Sequence, residues 1–434
     1  MKILVVSHNV FSHETAMGKT LTSYFSDCDP LSIAQFYIHS EVPIDAEICM
    51  NYFRFTDTDA IKARIPFKMK GTVYRKSDIR TERKFSRTDI GLKAKLYQKG
   101  RSRTAGIYFL RNLIWKTAFW KTSNFRQWIR EFSPDVVFFA SGDYAFMYDI
   151  ARFAADTANC PLVISCMDDY YLKKPGNSLF AQLVHRSFMT DVRKTMNRAD
   201  LLVCMCDEMS RTYSRMFHIE AHTLYTGVEK NDSLLSPAEE KQISYVGNIG
   251  ALRLIPLLEI GKALEQIHLA EIPSHLDIYS QERNPDIIRK LQNCKGIRFH
   301  GAISADEVRK VMSRSMLVVH VESMEKLEIN PARYSISTKI PESLMNGPCL
   351  FAYGPDGVAS IDYLKKNKAA YVVTSRQDLK KGLMDITENS ALRKDIVNNA
   401  RKLAENNHTK EAVHAAVQQY LLKARENYYR KESV

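Results

Sequence analysis

The sequence predicts an α/β protein of two facing, Rossmann-like doubly wound domains, and three observations carry that expectation. The chain has 434 residues, too many for one ordinary core and enough for two domains of about 200 residues each. Short apolar runs alternate with helix-length amphipathic segments almost from end to end, the pattern of parallel strands joined by crossover helices. Between two such sets lies GVEKNDSLLSPAEEK, residues 227–241, which is polar and carries a proline. The expected division is a first domain over 1–228, a linker over 229–241 and a second domain over 242–410. A C-terminal helical segment, 411–434, returns to the first domain.

In the first domain the apolar runs place strands near Ile3–Val6, Ile33–Ile38, Val136–Phe139, Leu162–Cys166, Leu201–Cys204 and His222–Leu224. In the second they fall near Ile243–Val246, Leu276–Tyr279, Ile297–Phe299, Leu317–Val321, Cys349–Ala352 and Ala370–Val373, and only helical pattern follows over Lys380–Lys431. Doubly wound sheets bind ligands at the carboxyl ends of their strands, where the strand order reverses, so chemistry is expected in the loops after these strands.

No run reaches the roughly 18 to 20 apolar residues that span a bilayer. The opening MKILVVSHN is too short in its apolar part for a signal peptide and reads as a buried strand. Eight cysteines are scattered, and the one close pair, Cys204 and Cys206, lacks partners at zinc-ligand spacing. Free thiols in a reducing cytoplasm are the expectation.

The net charge of +13 is unevenly placed: residues 1–130 hold 23 Lys and Arg against 11 Asp and Glu, and the remainder is nearly balanced. The surplus concentrates in a basic insertion at about 60–106. It is followed by IYFLRNLIWKTAFWKTSNFRQWIREF, residues 107–132, which contains all three tryptophans. Leu110, Ile114, Ala118, Phe125, Ile129 and Phe132 fall on one helical stripe, whose distal end reads as a core helix entering a strand. Upstream, cations interleaved with aromatics suit an anionic membrane surface.

The most informative window is STKIPESLMNGPCLFAYGPDG, residues 337–357. A helix is expected from Ser337 or Thr338, with Lys339 and Glu342 in its first turns and a stop at Asn346-Gly347-Pro348. A helix entrance presents unpaired N–H groups and a positive dipole end, a seat for phosphate that Lys339 strengthens. Glu342 would repel a phosphate, so it must bind something else, such as a pair of sugar hydroxyls. In ISYVGNIGALRLIPLLEIGKAL, residues 243–264, Gly247 and Gly250 permit close backbone approach to a pyrophosphate that Arg253 neutralises. Met17-Gly18-Lys19-Thr20 resembles the end of a P-loop, but His13 stands where that motif needs its first glycine. Asp168 and Asp169 follow an apolar strand as a candidate general base or hydroxyl-binding carboxylate, with turn capping as the alternative.

YVGNIG, RFHGAIS, STKIPESLMNGPCL with its GPDG turn, and RADLLVCMCDEMSRTYSRMF ending in LYTGVE together resemble the nucleotide-sugar glycosyltransferases of the GT-B fold. The likeness is to the large retaining family, family 4-type, of bacterial surface-polysaccharide enzymes, and it runs from Met1 to the last helix. By that resemblance Glu342 binds the donor ribose, and Ser337, Thr338 and Lys339 with Gly247, Gly250 and Arg253 hold the diphosphate. Phe299, His300 and Gly301 lie beside the base, and Gly18, Lys19 and Thr20 form a loop closing on the donor. Two positions depart from the family: Tyr334 stands where a second glutamate is often found, with Glu322 or Glu325 as its replacement, and Met167 stands where a histidine often precedes the first-domain aspartate.

The resemblance implies hexosyl transfer from a nucleoside diphosphate sugar to a hydroxyl of a lipid-linked glycan, for exopolysaccharide or capsule. Asp168, Asp169 and Glu322 are the catalytic candidates, and neither a cofactor nor a metal is expected. The protein is expected in the cytoplasm, attached peripherally to the inner face of the membrane through residues 60–130. Two other classes fit parts of the sequence: a sugar-nucleotide epimerase of the same fold, and a nucleic-acid-binding protein using the basic stripe. The second lacks any recognition module, so no nucleic-acid partner is expected.

Overall fold

The computed structural model describes residues 1–12, 16–44, 46–63, 71–79, 105–117, 119–230, 242–267, 274–326 and 332–432. The chain divides into two compact units, one of Met1–Leu224 with His414–Val434, the other of Tyr225–Val413.

The first unit is built on β1 (Ile3–Ser7), β2 (Ile33–Tyr37), β3 (Asn51–Arg54), β4 (Thr72–Arg75), β5 (Val136–Ala140), β6 (Leu162–Cys166), β7 (Leu201–Cys204) and β8 (Ala221–Thr223). Its helices are α1 (Ala16–Phe25), α2 (Asp57–Lys62), α3 (Ala105–Lys116), α4 (Ser123–Phe132), α5 (Ala145–Ala158), α6 (Leu179–Arg198) and α7 (Asp207–Phe217). The sheet order is β4-β3-β2-β1-β5-β6-β7-β8. β1 runs parallel between β2 and β5, in register Ile3 with Ile33 and with Val136. All five residues of β1, β2, β5 and β6 are buried, as strands covered by helices on both faces require.

Two strands escaped the sequence reading. NYFR in β3 offers only two buried residues, and β4 lies within the expected basic insertion and pairs antiparallel with β3 at the sheet edge. Most of that insertion, 64–70 and 80–104, is outside the described residues. The expected stripe over 107–132 also changes. It breaks into α3 and α4, with Leu110 58% exposed, Phe125, Ile129 and Phe132 buried, and Ala118 outside the described residues. Thr122 starts α4 by accepting the Phe125 N–H at 3.1 Å. All three tryptophans are core residues whose indole N–H groups are satisfied. Trp115 donates to Asp57, Trp120 to the Trp115 carbonyl and Trp128 to Asn51, at 2.7, 3.1 and 2.7 Å. They are therefore not a membrane-facing aromatic set.

The second unit contains β9 (Ile243–Val246), β10 (Leu276–Tyr279), β11 (Ile297–Gly301), β12 (Leu317–Val321), β13 (Cys349–Tyr353) and β14 (Tyr371–Val373). Helices α8 (Gly250–Glu265), α9 (Pro285–Gln292), α10 (Ala305–Arg314), α11 (Lys339–Asn346), α12 (Ala359–Lys366), α13 (Leu379–Glu388) and α14 (Ser390–Asn407) accompany them. The order β11-β10-β9-β12-β13-β14 is parallel throughout. The strand order reverses between β9 and β12, so the loops after these two strands are the expected ligand site. The core centres on fully buried Leu257, Ile278, Leu317 and Phe351; truncating such a phenylalanine to alanine costs about 3–5 kcal/mol.

The last helix, α15 (Lys410–Glu432), carries the chain back to the first unit. There Tyr420 donates to the Thr223 carbonyl, Asn427 to the Asp200 carbonyl and Lys431 to Asp200 Oδ1. Val417, Leu421 and Ala424 supply its buried stripe. All eight cysteines are free, and seven are buried.

Candidate functional site

At the reversal in the second unit, the turn after β9 is Gly247-Asn248-Ile249-Gly250. Lys339, the first residue of α11, reaches across and donates from Nζ to the Val246 carbonyl at 3.0 Å. A Cβ on Gly247 would collide with that ammonium, so the close approach needs glycine. Gly250 has φ 54°, a left-handed conformation that lets the chain turn into α8. Its N–H is already engaged: it donates to Glu282 Oε2 at 3.2 Å. Glu282 lies in the loop after β10, where its other oxygen accepts the Arg283 and Asn284 N–H groups at 2.9 Å. The Asn284 N–H above all, and then those of Gly250 and Arg283, hold its carboxyl below the usual range. The N-terminus of α8 thus holds a carboxylate.

Arg253 lies in the first turn of α8, its Nη1 3.4 Å from the Asn248 carbonyl. Tyr245 donates to the same carbonyl at 2.5 Å, and burial pushes its hydroxyl up to about 12. After β12 comes Glu322, only 4% exposed. Its Oε1 accepts the Ser360 hydroxyl at 3.1 Å and lies 3.1 Å from His320 Nε2, angled as a charge contact rather than a linear hydrogen bond. Burial raises this carboxyl, but His320, Arg253 and Ser360 together outweigh it and hold the acid below its ordinary range. Glu322 is an ionised carboxylate inside the reversal point.

The expected helix entrance is present, one or two residues later than read. Ser337 and Thr338 precede α11, and Thr338 is its N-cap residue but makes no side-chain cap. Lys339 N–H lies 3.4 Å from Ser337 Oγ. Glu342 is exposed on the first turn and, among the described residues, makes no hydrogen bond or ion pair, so its carboxylate is available to a ligand. Tyr334, eight positions before it, is a buried aromatic beneath the Arg333 guanidinium. Phe299, His300 and Gly301 do not act together. Phe299 packs on the core, while His300 faces the other way, stacks on Tyr279 and lies 2.6 Å from Asp277. His300 thereby joins an open groove of about 540 Å³ under α10, and only the Gly301 backbone, at φ 79°, stays at the strand end.

In the first unit, Asp168 and Asp169 follow β6 as expected and have different surroundings. Asp169 Oδ1 accepts the Tyr213 hydroxyl at 2.7 Å and the Leu172 N–H at 2.9 Å, which ties it to the turn. Asp168 keeps a solvent-exposed edge, yet the surrounding chain crowds it; that desolvation, with Asp169 and Asp143 nearby, raises its carboxyl above the usual range. Its Oδ2 accepts from Tyr170 at 3.2 Å. Gly18, Lys19 and Thr20 lie in the first turns of α1, with Gly18 and Thr20 buried. They are helical, so the expectation of a glycine loop at these three residues is corrected.

Residues 87–232 match the glycosyltransferase family 4 model, and residues 261–419 match a glycosyl transferase-like model. Among solved structures the chain is similar to Anabaena HepE in complex with UDP, at 14% identity, TM-score 0.59, covering 97% of this chain and 99% of that one. It is also similar to the sucrose-phosphate synthase of Thermosynechococcus elongatus, at 12% identity and TM-score 0.58 over 96% and 98% of the two chains. The trehalose-phosphate synthase of Burkholderia xenovorans, solved with glucose-6-phosphate, gives 11% identity and TM-score 0.57 over 97% and 100%. The chain belongs to the GT-B glycosyltransferases. No curated protein sequence matches it.

For a GT-B enzyme the sequence reading overlooked two features. One is Glu282, a plain acid in a polar loop until the fold sets it against Gly250. The other is a first-unit cluster at the ends of β1 and β5. His8 stacks on Tyr144, Tyr144 on Tyr108, and Tyr108 donates to Asp143 at 3.0 Å. The Arg111 guanidinium lies 4.1 Å over the Tyr144 ring. Burial first, then Arg111, lowers His8 to about 4, so it is neutral at pH 7. Residues this far apart in sequence leave no local signal. Among the described residues, no group of three or more His, Cys, Asp or Glu could hold a metal.

Proposed function

We propose that the enzyme transfers a hexosyl group from a nucleoside diphosphate sugar, retaining its anomeric configuration, to a hydroxyl of a lipid-linked glycan in exopolysaccharide or capsule synthesis. The observation that carries this is the Lys339 ammonium fixed on the Val246 carbonyl beside the Gly247–Gly250 turn, with Arg253 and the available carboxylate of Glu342 on the same strand-end surface. In this reading Lys339, Arg253 and the two helix N-termini hold the diphosphate, and Glu342 accepts the ribose hydroxyls. The bond from the anomeric carbon to the phosphate oxygen breaks as one to the acceptor oxygen forms. Positive groups stabilise the departing diphosphate without a divalent metal. Asp168, whose raised carboxyl suits proton uptake, takes the acceptor proton, and ionised Glu322 supports positive charge developing on the sugar.

The UDP and UDP-glucose complexes of HepE, which shares the fold, make UDP-sugars the first donors to test. The basic character of residues 60–130 supports peripheral attachment to the cytoplasmic face of a membrane, where a lipid-linked acceptor resides. No described helix is long and apolar enough to cross a membrane. A thermal-shift screen of nucleotide sugars tests the donor half, because a ligand of the folded state raises its apparent stability. A screen in which no nucleotide sugar raises the melting temperature would sink the reading. NMR of the anomeric proton in the product tests retention.

A further inference from the structure

We propose that the outward faces of α3 and α6 form a docking surface for an anionic lipid bilayer. The proposal rests on the membrane-visiting reading above and names the surface that performs it. Of the eighteen large hydrophobic side chains exposed among the described residues, eight fall in just two segments, 107–119 and 172–183. Ile107, Leu110 and Leu113 recur every three residues, so they share one face of α3. At the start of α6, Leu183 lies four residues after Leu179 and three after Phe180, so these three also share a face. The two helices pack against each other, and the rings of Phe109 and Phe180 meet at 5.5 Å, so the two apolar faces belong to one patch. Leu110 is 58% and Leu179 68% exposed, and nothing among the described residues covers them. Monomeric proteins rarely leave so many large apolar side chains together in water unless that surface binds something.

Charge decides what it binds. Residues 105–130 carry five Lys and Arg and no Asp or Glu; Arg111 pairs with Asp57 and Lys121 with Asp149 from other elements, and Lys116, Arg126 and Arg130 are exposed. Residues 170–190 carry Lys173, Lys174 and Arg186, again with no acid. Two acid-free basic segments around leucines and a phenylalanine match a bilayer with anionic headgroups: apolar side chains enter the acyl boundary while cations stay at headgroup level. A protein partner would more often meet mixed charge at the rim. The tryptophans, read from sequence as part of a membrane arm, are core. The leucines of α3 and α6 take that role.

The test is sedimentation of the full chain with vesicles of phosphatidylcholine alone and with about one-third phosphatidylglycerol, in low and physiological salt. Leu110→Asp/Leu179→Asp changes two exposed residues outside the donor site. It is expected to keep its melting temperature and its thermal shift with nucleotide sugars while losing at least tenfold in partition to the anionic vesicles. Lys173→Glu/Lys174→Glu is expected to weaken binding and flatten its salt dependence. If the wild-type protein binds the vesicles and Leu110→Asp/Leu179→Asp binds them equally, the patch is misassigned while the membrane reading stands. If the wild-type protein ignores anionic vesicles, both fail, and the donor shift shows whether the enzyme reading survives. A wild-type dimer by light scattering that the double variant converts to monomer would make the patch a self-association surface and overturn the proposal.

Discussion

Lys339 donates its ammonium to the carbonyl of Val246, 93 positions earlier in the chain, and so carries the entrance of α11 to the end of β9. This link converts two separate sequence features, a glycine turn and a charged helix start, into one surface. Gly247→Ala tests it. The new methyl meets the Lys339 ammonium, which must swing aside, and at φ 157° any side chain also strains the backbone, so some stability is lost with the contact. Losing one charge-assisted contact to a diphosphate costs about 1.5–3 kcal/mol. Donor affinity by calorimetry is therefore expected to fall at least tenfold in Gly247→Ala and Lys339→Ala, with the melting temperature nearly unchanged in Lys339→Ala and lowered in Gly247→Ala. Wild-type affinity in both variants would remove Lys339 from the donor site.

Glu282 on the Gly250 N–H poses the reverse case. Its carboxylate occupies a donor group at the N-terminus of α8 that the donor diphosphate needs in the proposed function, and repels the incoming charge. Glu282→Gln removes the charge and keeps the side-chain length. UDP affinity is expected to rise several-fold, most at low salt, because the group is exposed and screened. Tighter binding that is insensitive to salt would point to a change of loop conformation instead.

Glu342→Ala removes an exposed side chain that makes no hydrogen bond or ion pair among the described residues, so stability should be unaffected. Loss of hydroxyl contacts is expected to weaken nucleoside diphosphate sugars about tenfold or more, and 2′-deoxyribose analogues should bind wild type and variant alike. A Kd for the donor that does not move would remove the ribose role.

The parts of this design visible in the sequence are those encoded locally. Buried parallel strands such as ILVV and CLFAY are continuous apolar runs, and the window around Lys339 and Glu342 carries its own helix start and glycine stop. β4 was hidden because an edge strand needs few buried residues, and TVYR sits among cations. In the Phe299–Gly301 segment the sequence could not show which way each side chain faces: adjacent strand residues point opposite ways, which sends Phe299 to the core and His300 to Tyr279. Helical periodicity gave the face of α3 that carries Leu110, but not whether that face points inward.

Glu322 separates support from chemistry. Its carboxylate is held by Ser360 and by the proximity of His320, so Glu322→Gln should lower the melting temperature by a few degrees, as expected when a buried charge contact is weakened. If its negative charge also supports the reacting sugar, kcat is expected to fall roughly 100-fold with little change in donor KM. A lower melting temperature with unchanged kcat would leave Glu322 a positioning residue for α12 only.

His408 makes a pH prediction with a definite sign. It is fully buried at the end of α14, and its Nδ1–H donates to the Thr226 carbonyl at 3.0 Å while Nε2 accepts the Tyr363 hydroxyl at 2.9 Å. Burial lowers it from 6.5 to about 4, so the folded protein resists a proton that the unfolded chain accepts readily. The stabilisation is therefore complete above pH 6.5, declines as pH falls from 6.5 to 4, and is gone below. Across that window the difference is worth about 3 kcal/mol. Protonating Nε2 also breaks the Tyr363 bond, and Val228, which donates to the His408 carbonyl at 2.8 Å, is part of the same anchor. His8 adds a similar dependence in the first unit, so His408→Gln should reduce the slope of urea-unfolding free energy between pH 6.5 and 4 without abolishing it. The variant should be less stable than wild type at pH 7, and the gap should narrow toward pH 4. An unchanged slope in His408→Gln would mean that this histidine is not neutral in the folded protein.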